Sequence, residues 1–419
     1  MHRRAKFHPP QEKTVPIFSP KPNPTAHRIV PDFPALAAAN PWMGAAIGGP
    51  QAMSDGGYVQ QYANATAWGR MGGTPYEVHG DILAKYNALG GPQGFLGYPI
   101  SNELACADKV GAYSHFEQGS IYWRPGLGSF EVHGAIHSLW AKLGYEAYGY
   151  PITDETGTPD SVGRFNHFRT FFADNTTADA SIYWTPSTGA HEVHGAIRTN
   201  WAQIGWETSY LGYPVSDEHD ANGGRQSDFQ NGSIFWTAAN GTQLLPQTFV
   251  VNCPINFSDG TPVGGNGQLV LFSDGTVHFS GHLHDSGFPS YDCLTVFTVK
   301  DANGRAYAAS EPGHLSGTDA LGGSRDHDWD NWATDNDVRN NWPAIRSGGV
   351  GGGTVTATSD WSAQKIAEDV VSVVGVILAI ISLPFLGGSS DKPKNNSSYN
   401  TNANAPTGYY AGVPDDGAA

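Results

Sequence analysis

The feature that most constrains the fold of this chain is a motif, Glu-Val-His-Gly, that occurs three times. Its copies are residues 77–80, 131–134 and 192–195. After each copy, apolar residues recur at the spacing of one face of a short helix, as Ile82, Tyr86 and Leu89 do in the first. A glycine then stands where a left-handed cap ends a helix. We therefore predict tandem copies of one structural unit, each with a short helix after the motif.

Two further blocks follow in the same order within each copy. Segments built on a Gly-Tyr-Pro turn are 96–103, 148–155 and 211–218, and Ser-Ile-aromatic-Trp strands fill 119–123, 180–184 and 232–236. Residues 62–68 match the sequence of the strand block only in part. The array therefore starts and ends with half a repeat. Such units must pack on their neighbours, and a repeat split between the two ends favours a closed ring. The predicted fold is mainly β, a propeller-like repeat domain with short helices.

These three blocks resemble LGFP repeats over about residues 57–245. LGFP repeats occur in cell-envelope and secreted proteins, often beside mycolyltransferase, amidase or esterase domains, and are associated with anchoring to cell-wall polysaccharide or recognising it. Two features depart from the pattern: Tyr148 replaces the leucine, and the second copy has an insertion around 166–177. The resemblance implies that residues 51–245 bind polysaccharide or peptidoglycan-type glycans, outside the cell or on its surface.

Carbohydrate recognition needs flat aromatic faces and a few directed polar groups, and the repeats supply both. Aromatic residues expected to face outward on the strand blocks are Tyr122, Tyr183 and Phe235. The recurring polar candidates are His79, His133, His194, Glu103, Glu155 and Glu218. Equivalent pockets between adjacent repeats would give multivalent binding. The alternative is structural, because repeated aromatic and histidine residues also pack units together, and an acidic residue after proline often caps a turn.

Charge and composition narrow the choice of partner. The formal net charge of −16 argues against nucleic acid, because phosphate binding needs clustered Lys and Arg. The many glycines and prolines suit short strands joined by tight turns. Residues 1–50 are basic and rich in proline, without the apolar stretch of a signal peptide. We expect a disordered arm there, and export without a recognisable signal peptide.

Residues 246–358 show a different, strand-rich pattern that Asp-Gly and Asn-Gly turns interrupt, which predicts a β-sandwich-like domain. His278, His282 and His284 are evenly spaced and form one candidate metal site on a strand face. The candidate calcium ligands, which match positions of a calcium-loop template, are Asp326, Asp328, Asp330 and Asp337. Asn331 replaces the glycine of that template, and an acidic surface loop is the alternative.

The end of the chain contains an apolar run at residues 370–386, within a helix predicted over 359–388. Three interpretations of this apolar segment remain open. It could contact a membrane through residues 366–386, or it could be buried against the sandwich or in an oligomer interface. It could also be an interaction segment that a secretion machine recognises. The tail, residues 389–419, is expected to be disordered. Cys253 and Cys293 form either one disulfide, in which case Cys106 is a free thiol, or two free buried thiols.

These patterns favour a non-enzymatic binding module. The sequence has no Gly-x-Ser-x-Gly elbow, no His-Glu-x-x-His helix and no phosphate-binding glycine loop. The first alternative is a surface-targeted toxin or effector with a membrane-active C-terminal helix. The second is a cell-wall hydrolase with its site in 246–358, because paired carboxylates for glycoside hydrolysis leave no local signature.

Overall fold

A computed structural model of the chain describes residues 30–256, 261–318 and 321–358, with side chains as far as Gly353. The chain divides into two compact units between Ser129 and Phe130. Both units consist mainly of small antiparallel sheets with short helices, which confirms the predicted mainly β class. None of the described sheets closes into a barrel, and the ring-like arrangement of the repeats stays a prediction.

The first unit contains the leading half-repeat and most of the first repeat. Its helices are α1 (Phe33–Ala39) and α2 (Gly80–Ala88), with 3-10 turns at Pro41–Met43 and Gly91–Gln93. Its strands are β1 (Ala46–Ala52), β2 (Tyr58–Tyr62), β3 (Ala65–Gly69), β4 (Tyr76–His79), β5 (Leu104–Ala105), β6 (Ala112–Phe116) and β7 (Gly119–Arg124), and the division of the chain falls within β8 (Gly128–His133). Strands β1 to β4 form one sheet in sequence order. Ile82 and Tyr86 of α2 are buried, as their spacing predicts.

The predicted disordered arm is ordered from Phe33 onward, and its first 29 residues lie outside the described part. Phe33 and Met43 are buried in a small core with Tyr58 and Tyr62. The Tyr62 hydroxyl also donates a 3.0 Å hydrogen bond to the carbonyl of Phe33. Burial of these apolar side chains outweighs the proline-rich composition that suggested disorder.

The second unit continues with the second and third repeats. Its first helices are α3 (Gly134–Leu143) and α4 (Gly195–Gln203), with 3-10 turns at Tyr145–Ala147 and Trp206–Thr208. Its first strands are β9 (Tyr150–Pro151), β10 (Thr156–Gly157), β11 (Arg164–Phe171), β12 (Thr177–Thr185), β13 (Gly189–His194), β14 (His219–Ala221), β15 (Gly224–Phe229), β16 (Gly232–Thr237) and β17 (Gly241–Pro246). The predicted insertion lengthens the β11–β12 hairpin beyond its counterparts.

The glycine of each Gly-Tyr-Pro turn has a steric reason. Gly97 and Gly212 both have φ +71°, which favours glycine. A Cβ at Gly97 would lie 2.4 Å from Glu117 Oε2, and one at Gly212 would lie 2.4 Å from Gln230 Oε1. The same Gln230 oxygen accepts the backbone N–H of Tyr213, so this side chain fills the space that a Cβ would need.

The C-terminal part of the described chain consists of two antiparallel sheets around one core, and its β-sandwich-like arrangement stays a prediction. Its elements are β18 (Thr248–Asn256), β19 (Val263–Phe272), β20 (Thr276–Asp285), β21 (Tyr291–Lys300), β22 (Ala306–Leu315), β23 (Asp326–Thr334), α5 (Asn336–Asn340), α6 (Trp342–Gly348) and β24 (Val350–Thr358). The sheet orders are β18-β19-β20-β23 and β22-β21-β24. Phe279, Phe297 and Trp329 are buried in the shared core.

Cys253 and Cys293 have free thiols, so the alternative with a Cys253–Cys293 disulfide is wrong. Cys293 lies in the sandwich core, where burial raises the pKa of its thiol to about 12. Within the described ranges, no helix is long and apolar enough to cross a membrane. The predicted helix over 359–388 and the tail after it lie outside those ranges.

Candidate functional site

Each repeat brings one predicted histidine and one predicted glutamate together with a second glutamate, and we name this group the Glu-His-Glu cluster. Its three copies are Glu77–His79–Glu103, Glu131–His133–Glu155 and Glu192–His194–Glu218. The distance from histidine Nδ1 to the first carboxylate is 2.9, 2.8 and 2.8 Å in chain order. The distance from Nε2 to the second carboxylate is 3.4, 3.3 and 3.4 Å.

The backbone fixes each cluster at the point where a hairpin strand meets the Gly-Tyr-Pro turn. In the third copy, Oε1 of Glu192 accepts the backbone N–H of Glu218 at 3.0 Å. The side chain of Asp217 accepts the backbone N–H of Glu192 at 3.1 Å. The same pair of bonds recurs in the other two copies. Each cluster is therefore a brace between two segments that are distant in sequence, as well as a group of polar side chains.

Sequence reasoning identified the histidines and the second glutamates but missed the first glutamates and the residues that hold them. The missed residues are Glu77, Glu131, Glu192, Asn102, Asp154 and Asp217. The repeated blocks could have identified these residues. Every Glu-Val-His-Gly motif begins with a glutamate, and an Asn or Asp precedes the last glutamate of every Gly-Tyr-Pro segment. A buried carboxylate needs partners, and the histidine two residues later supplies one.

Burial and charge shift the pKa values of the three histidines and of two of the glutamates upward. Desolvation raises the pKa of Glu103 to about 7 and also raises that of Glu155. The bond to Glu77 raises the pKa of His79, and the bond to Glu192 raises that of His194. Burial lowers the pKa of His133, but the hydrogen bond to Glu131 and the charges of Glu131 and Glu155 together more than offset this effect. Each histidine is thus favoured in its charged form between two carboxyl groups.

The three clusters differ at their edges. In the first repeat, Trp42 packs on the His79 ring with 4.4 Å between ring centroids. In the third, no aromatic ring lies beside His194 among the residues that the structure describes, and 43% of that side chain is exposed. The Arg225 guanidinium lies 2.9 Å from Glu218 there.

The second and third repeats have an arginine at the same strand position, and the first repeat does not. Arg225 lies opposite Trp236 on the neighbouring strand, as Arg164 lies opposite Trp184 in the second repeat. In the first repeat, the position opposite Trp123 is Ala112. Arg164 lies 3.5 Å from Glu155, so the second repeat has a looser version of the same ion pair.

The third cluster also receives a hydroxyl group from the second repeat. Tyr148, which replaces the leucine before the Gly-Tyr-Pro turn, donates to Oε2 of Glu192 at 3.1 Å. That oxygen also lies 2.8 Å from His194. The departure at Tyr148 therefore couples the second repeat to the third cluster.

Beside the third cluster, the surface contains an open depression of about 510 Å³, which we name the β14–β15 depression. Its lining residues are Asp220, Ala221, Asn222, Gly223, Gly224, Arg225 and Trp236. Arg225 joins the two features, because it bonds both Glu218 in the cluster and Asp220 in the lining. The third repeat thus links a partly exposed histidine, through Glu218, to an arginine that lines a depression together with a tryptophan.

The predicted aromatic platforms are largely absent from the surface. Tyr122 and Tyr183 are only 2% and 3% exposed, so the expectation that they face outward is wrong. Tyr122 stacks on Tyr113 with 4.9 Å between centroids, and Tyr183 stacks on Phe165 at 5.1 Å. The Tyr183 ring also packs against Trp201 and Trp206 of the third repeat, so the next repeat covers the face that strand alternation assigned to solvent. Phe235 is partly exposed.

The predicted calcium loop is replaced by a strand. Asp326, Asp328 and Asp330 lie on β23, where alternate side chains share one face and cannot curl around an ion. They pair across the sheet with the three histidines of β20, at His284, His282 and His278 respectively. Asp337 lies apart in α5, 3.7 Å from Arg305. In the described ranges no group of His, Cys, Asp or Glu side chains has the arrangement of a metal site.

Comparison with known families supports the resemblance. The family model for the LGFP repeat matches residues 96–147, 149–209 and 211–249. The chain contains three LGFP repeats. No family model matches the C-terminal half, and none of the curated proteins compared with the chain matches it. LGFP repeats are typical of cell-envelope proteins, which agrees with the expected class of protein.

Proposed function

We propose that the chain is a non-enzymatic binding module for cell-wall or cell-surface polysaccharide, and that the third LGFP repeat is its principal binding site. The observation that carries the proposal is that Glu218 contacts both His194 and Arg225, and that Arg225 also lines the β14–β15 depression. Polar groups that converge beside an aromatic side chain are what sugar binding requires, because a sugar ring has hydroxyl groups at its rim and an apolar C–H face.

The clusters suit binding better than chemistry. The second glutamate of each is mostly buried, at 13%, 6% and 7% exposure in chain order, and its backbone N–H is held by the first glutamate. A general acid or base needs hydrogen-bond access to the reacting atoms, and these carboxylates face their own histidines instead. The histidine edge and the arginine are the parts that a ligand reaches.

The three repeats provide their own controls for a test of this proposal. His79 and His194 occupy equivalent positions with nearly identical carboxylate contacts, but Trp42 packs on the His79 ring, whose side chain is 33% exposed against 43% for His194. The variants His79→Gln and His194→Gln of the full chain are compared for retention on solubilised cell-wall polysaccharide and on peptidoglycan. Thermal unfolding of both variants is measured in parallel.

We expect similar losses of stability in the two variants, because each brace loses the same bonds. Only His194→Gln is expected to weaken glycan retention, by roughly tenfold, which corresponds to about 1.4 kcal/mol. The proposal is wrong if the unaltered chain is retained by none of these materials. It is also wrong if the two variants bind as tightly as the unaltered chain.

A further inference from the structure

Tyr148 stands where the other two Gly-Tyr-Pro segments have a leucine. Its counterparts Leu96 and Leu211 are both buried. A tyrosine keeps an apolar ring at this position but adds a hydroxyl group, and a hydroxyl group taken out of water needs a hydrogen-bond partner. The partner is Oε2 of Glu192, the first glutamate of the third Glu-His-Glu cluster. The tyrosine of the second repeat therefore has a structural consequence in the third.

The inserted part of the β11–β12 hairpin helps to hold Tyr148 in place. Strand β11 continues to Phe171, beyond Phe168, which by register is the counterpart of Phe116 at the end of β6. In this extension, Thr170 Oγ1 donates a hydrogen bond to the carbonyl of Tyr148. The Phe168 ring packs edge-on against the Tyr148 ring, with 5.8 Å between centroids. The two departures from the repeat pattern, the tyrosine and the insertion, thus act together.

The hydroxyl group of Tyr148 is a donor to the cluster. Burial, together with the charge of Glu192, raises the pKa of this hydroxyl group well above its ordinary value, so it keeps its proton at neutral pH. An ionised carboxylate can only accept hydrogen bonds. Oε2 of Glu192 therefore accepts from two donors, Tyr148 at 3.1 Å and the Nδ1–H of His194 at 2.8 Å. This arrangement places an imidazole proton on Nδ1.

The Glu192 carboxylate is also fixed at its other oxygen. Oε1 accepts the backbone N–H of Glu218 at 3.0 Å, and only 5% of the Glu192 side chain is exposed. With Oε1 held, contacts from Tyr148 and His194 set the direction of Oε2. Because the imidazole bonds Oε2 through Nδ1, its Nε2 lies toward Glu218, 3.4 Å away. Contacts from both repeats therefore determine which edge of the His194 ring is exposed.

The charged groups around His194 act in opposite directions. The hydrogen bond to Glu192 and the charges of Glu192 and Glu218 raise the pKa of His194, whereas burial and the charge of Arg225 lower it. The Tyr148 hydroxyl group adds a neutral donor to one of these carboxylates. It shares the negative charge of Glu192 with His194, and so it moderates the pull of that carboxylate on the imidazole proton.

We infer that Tyr148 is a positioning residue, through which the second repeat holds His194 in one orientation at the proposed binding surface. The third site then depends on the packing of the second repeat against it. The inference rests on the proposed function only for its effect on glycan retention, because the orientation of His194 is a property of the chain alone.

The first test follows the titration of single histidine side chains by NMR in the full chain, with His194→Gln used to assign the His194 signal. Tyr148→Phe keeps the ring and removes the donor. The Glu192 carboxylate then acts on His194 alone, so we expect the titration midpoint of His194 to rise by about 0.5 pH units. The matched control is Tyr98→Phe, which removes the same kind of bond from the carboxylate of Asp55 and should leave this midpoint unchanged.

Tyr148→Leu provides a second variant, because leucine is the residue of the other two segments. We expect it to shift the His194 midpoint in the same direction as Tyr148→Phe does. Retention on cell-wall polysaccharide and peptidoglycan is measured for the same chains. Both Tyr148 variants are expected to be retained roughly fivefold more weakly than the unaltered chain, because His194 loses its fixed orientation, whereas Tyr98→Phe should be retained normally.

Two results would overturn the inference. The first is an unchanged His194 midpoint in both Tyr148 variants, or an equal rise in the Tyr98→Phe control, whether or not the chain binds glycan. The second is normal retention of both Tyr148 variants by a glycan that the unaltered chain binds. If no glycan retains the unaltered chain, the proposed function fails, and the NMR titration still decides the role of Tyr148.

Discussion

The hydroxyl group of Tyr98 donates its one proton to the carboxylate of Asp55, whose two oxygens lie 2.7 and 2.9 Å from the hydroxyl oxygen. The two residues are far apart in sequence, and the guanidinium of Arg70 lies 4.4 Å from the centre of the Tyr98 ring. This bond lowers the pKa of Asp55 and fastens the Gly-Tyr-Pro turn to the hairpin before it. Tyr213 and Asp160 repeat the relationship in the second unit. In the first and third Gly-Tyr-Pro turns, a tyrosine hydroxyl thus stabilises the turn in addition to the glycine and the proline.

Tyr98→Phe tests the strength of this attachment. The variant keeps the ring but removes the donor to an ionised carboxylate, so we expect a loss of about 1.5–3 kcal/mol in the free energy of unfolding of the first unit. Denaturant unfolding followed by tryptophan fluorescence measures it. Tyr76→Phe is the control, because Tyr76 is only half-buried. A loss no larger than that of the control would show that the hydroxyl contributes little.

Gly212→Ala separates two costs of a side chain in the turn. Gly212 has φ +71°, and its Cβ would lie 2.4 Å from Gln230 Oε1. Gly189 has φ +77° but open space around it, so Gly189→Ala carries the backbone cost alone, about 1–2 kcal/mol. We expect Gly212→Ala to lower the unfolding midpoint temperature by clearly more than Gly189→Ala. Equal shifts would mean that Gln230 moves aside freely.

Most of the repeat architecture could be predicted from the sequence, for reasons that its residues make plain. The spacing of Ile136 and Trp140 after Gly134 predicted a helix face, and both are buried in α3. Local patterns of this kind encode which residues belong to one element. They do not encode which neighbour covers the other side of a thin sheet, and that is why Tyr122 and Tyr183 were wrongly expected at the surface.

The candidate site was predictable only in part. His194 and Glu218 recur in fixed blocks, so repetition alone identified them. Their contact depends on a turn that brings two segments together, and Arg225 belongs to neither block. The aspartates of β23 failed as a calcium prediction for a related reason. A spacing of two residues fits both a calcium loop and a strand, and the histidines across the sheet decide for the strand.

Phe297→Ala tests the core of the sandwich. Phe297 is fully buried, and Cβ atoms at Gly267 and Gly353 would lie 2.6 and 2.7 Å from its ring, so glycines on two strands make room for it. We expect the free energy of unfolding to fall by about 3–5 kcal/mol. The control is Phe288→Ala, because Phe288 is 72% exposed. Calorimetry measures both variants, and equal midpoint temperatures would refute the proposed packing role.

The pH dependence of stability tests the first Glu-His-Glu cluster. The pKa of Glu103 is raised to about 7 in the folded chain, so its folded form retains a proton that the unfolded form loses near pH 4.5. Its contribution to stability is complete below about pH 4.5 and is lost as the pH rises to about 7. His79, whose pKa is also raised, loses its own contribution at higher pH, in the same direction.

Glu103→Gln should therefore flatten the fall in stability of the first unit between pH 5 and pH 7. The difference is of the order of 1–3 kcal/mol, because one pKa unit corresponds to about 1.4 kcal/mol and the carboxyl group is only 13% exposed. Unfolding midpoints at several pH values measure it, with Glu146→Gln as the control because that residue lies in the short turn Tyr145–Ala147, outside the cluster. A variant whose pH profile runs parallel to that of the unaltered chain would show that Glu103 is ionised throughout. The brace would then owe its strength to His79 in its charged form between two carboxylates.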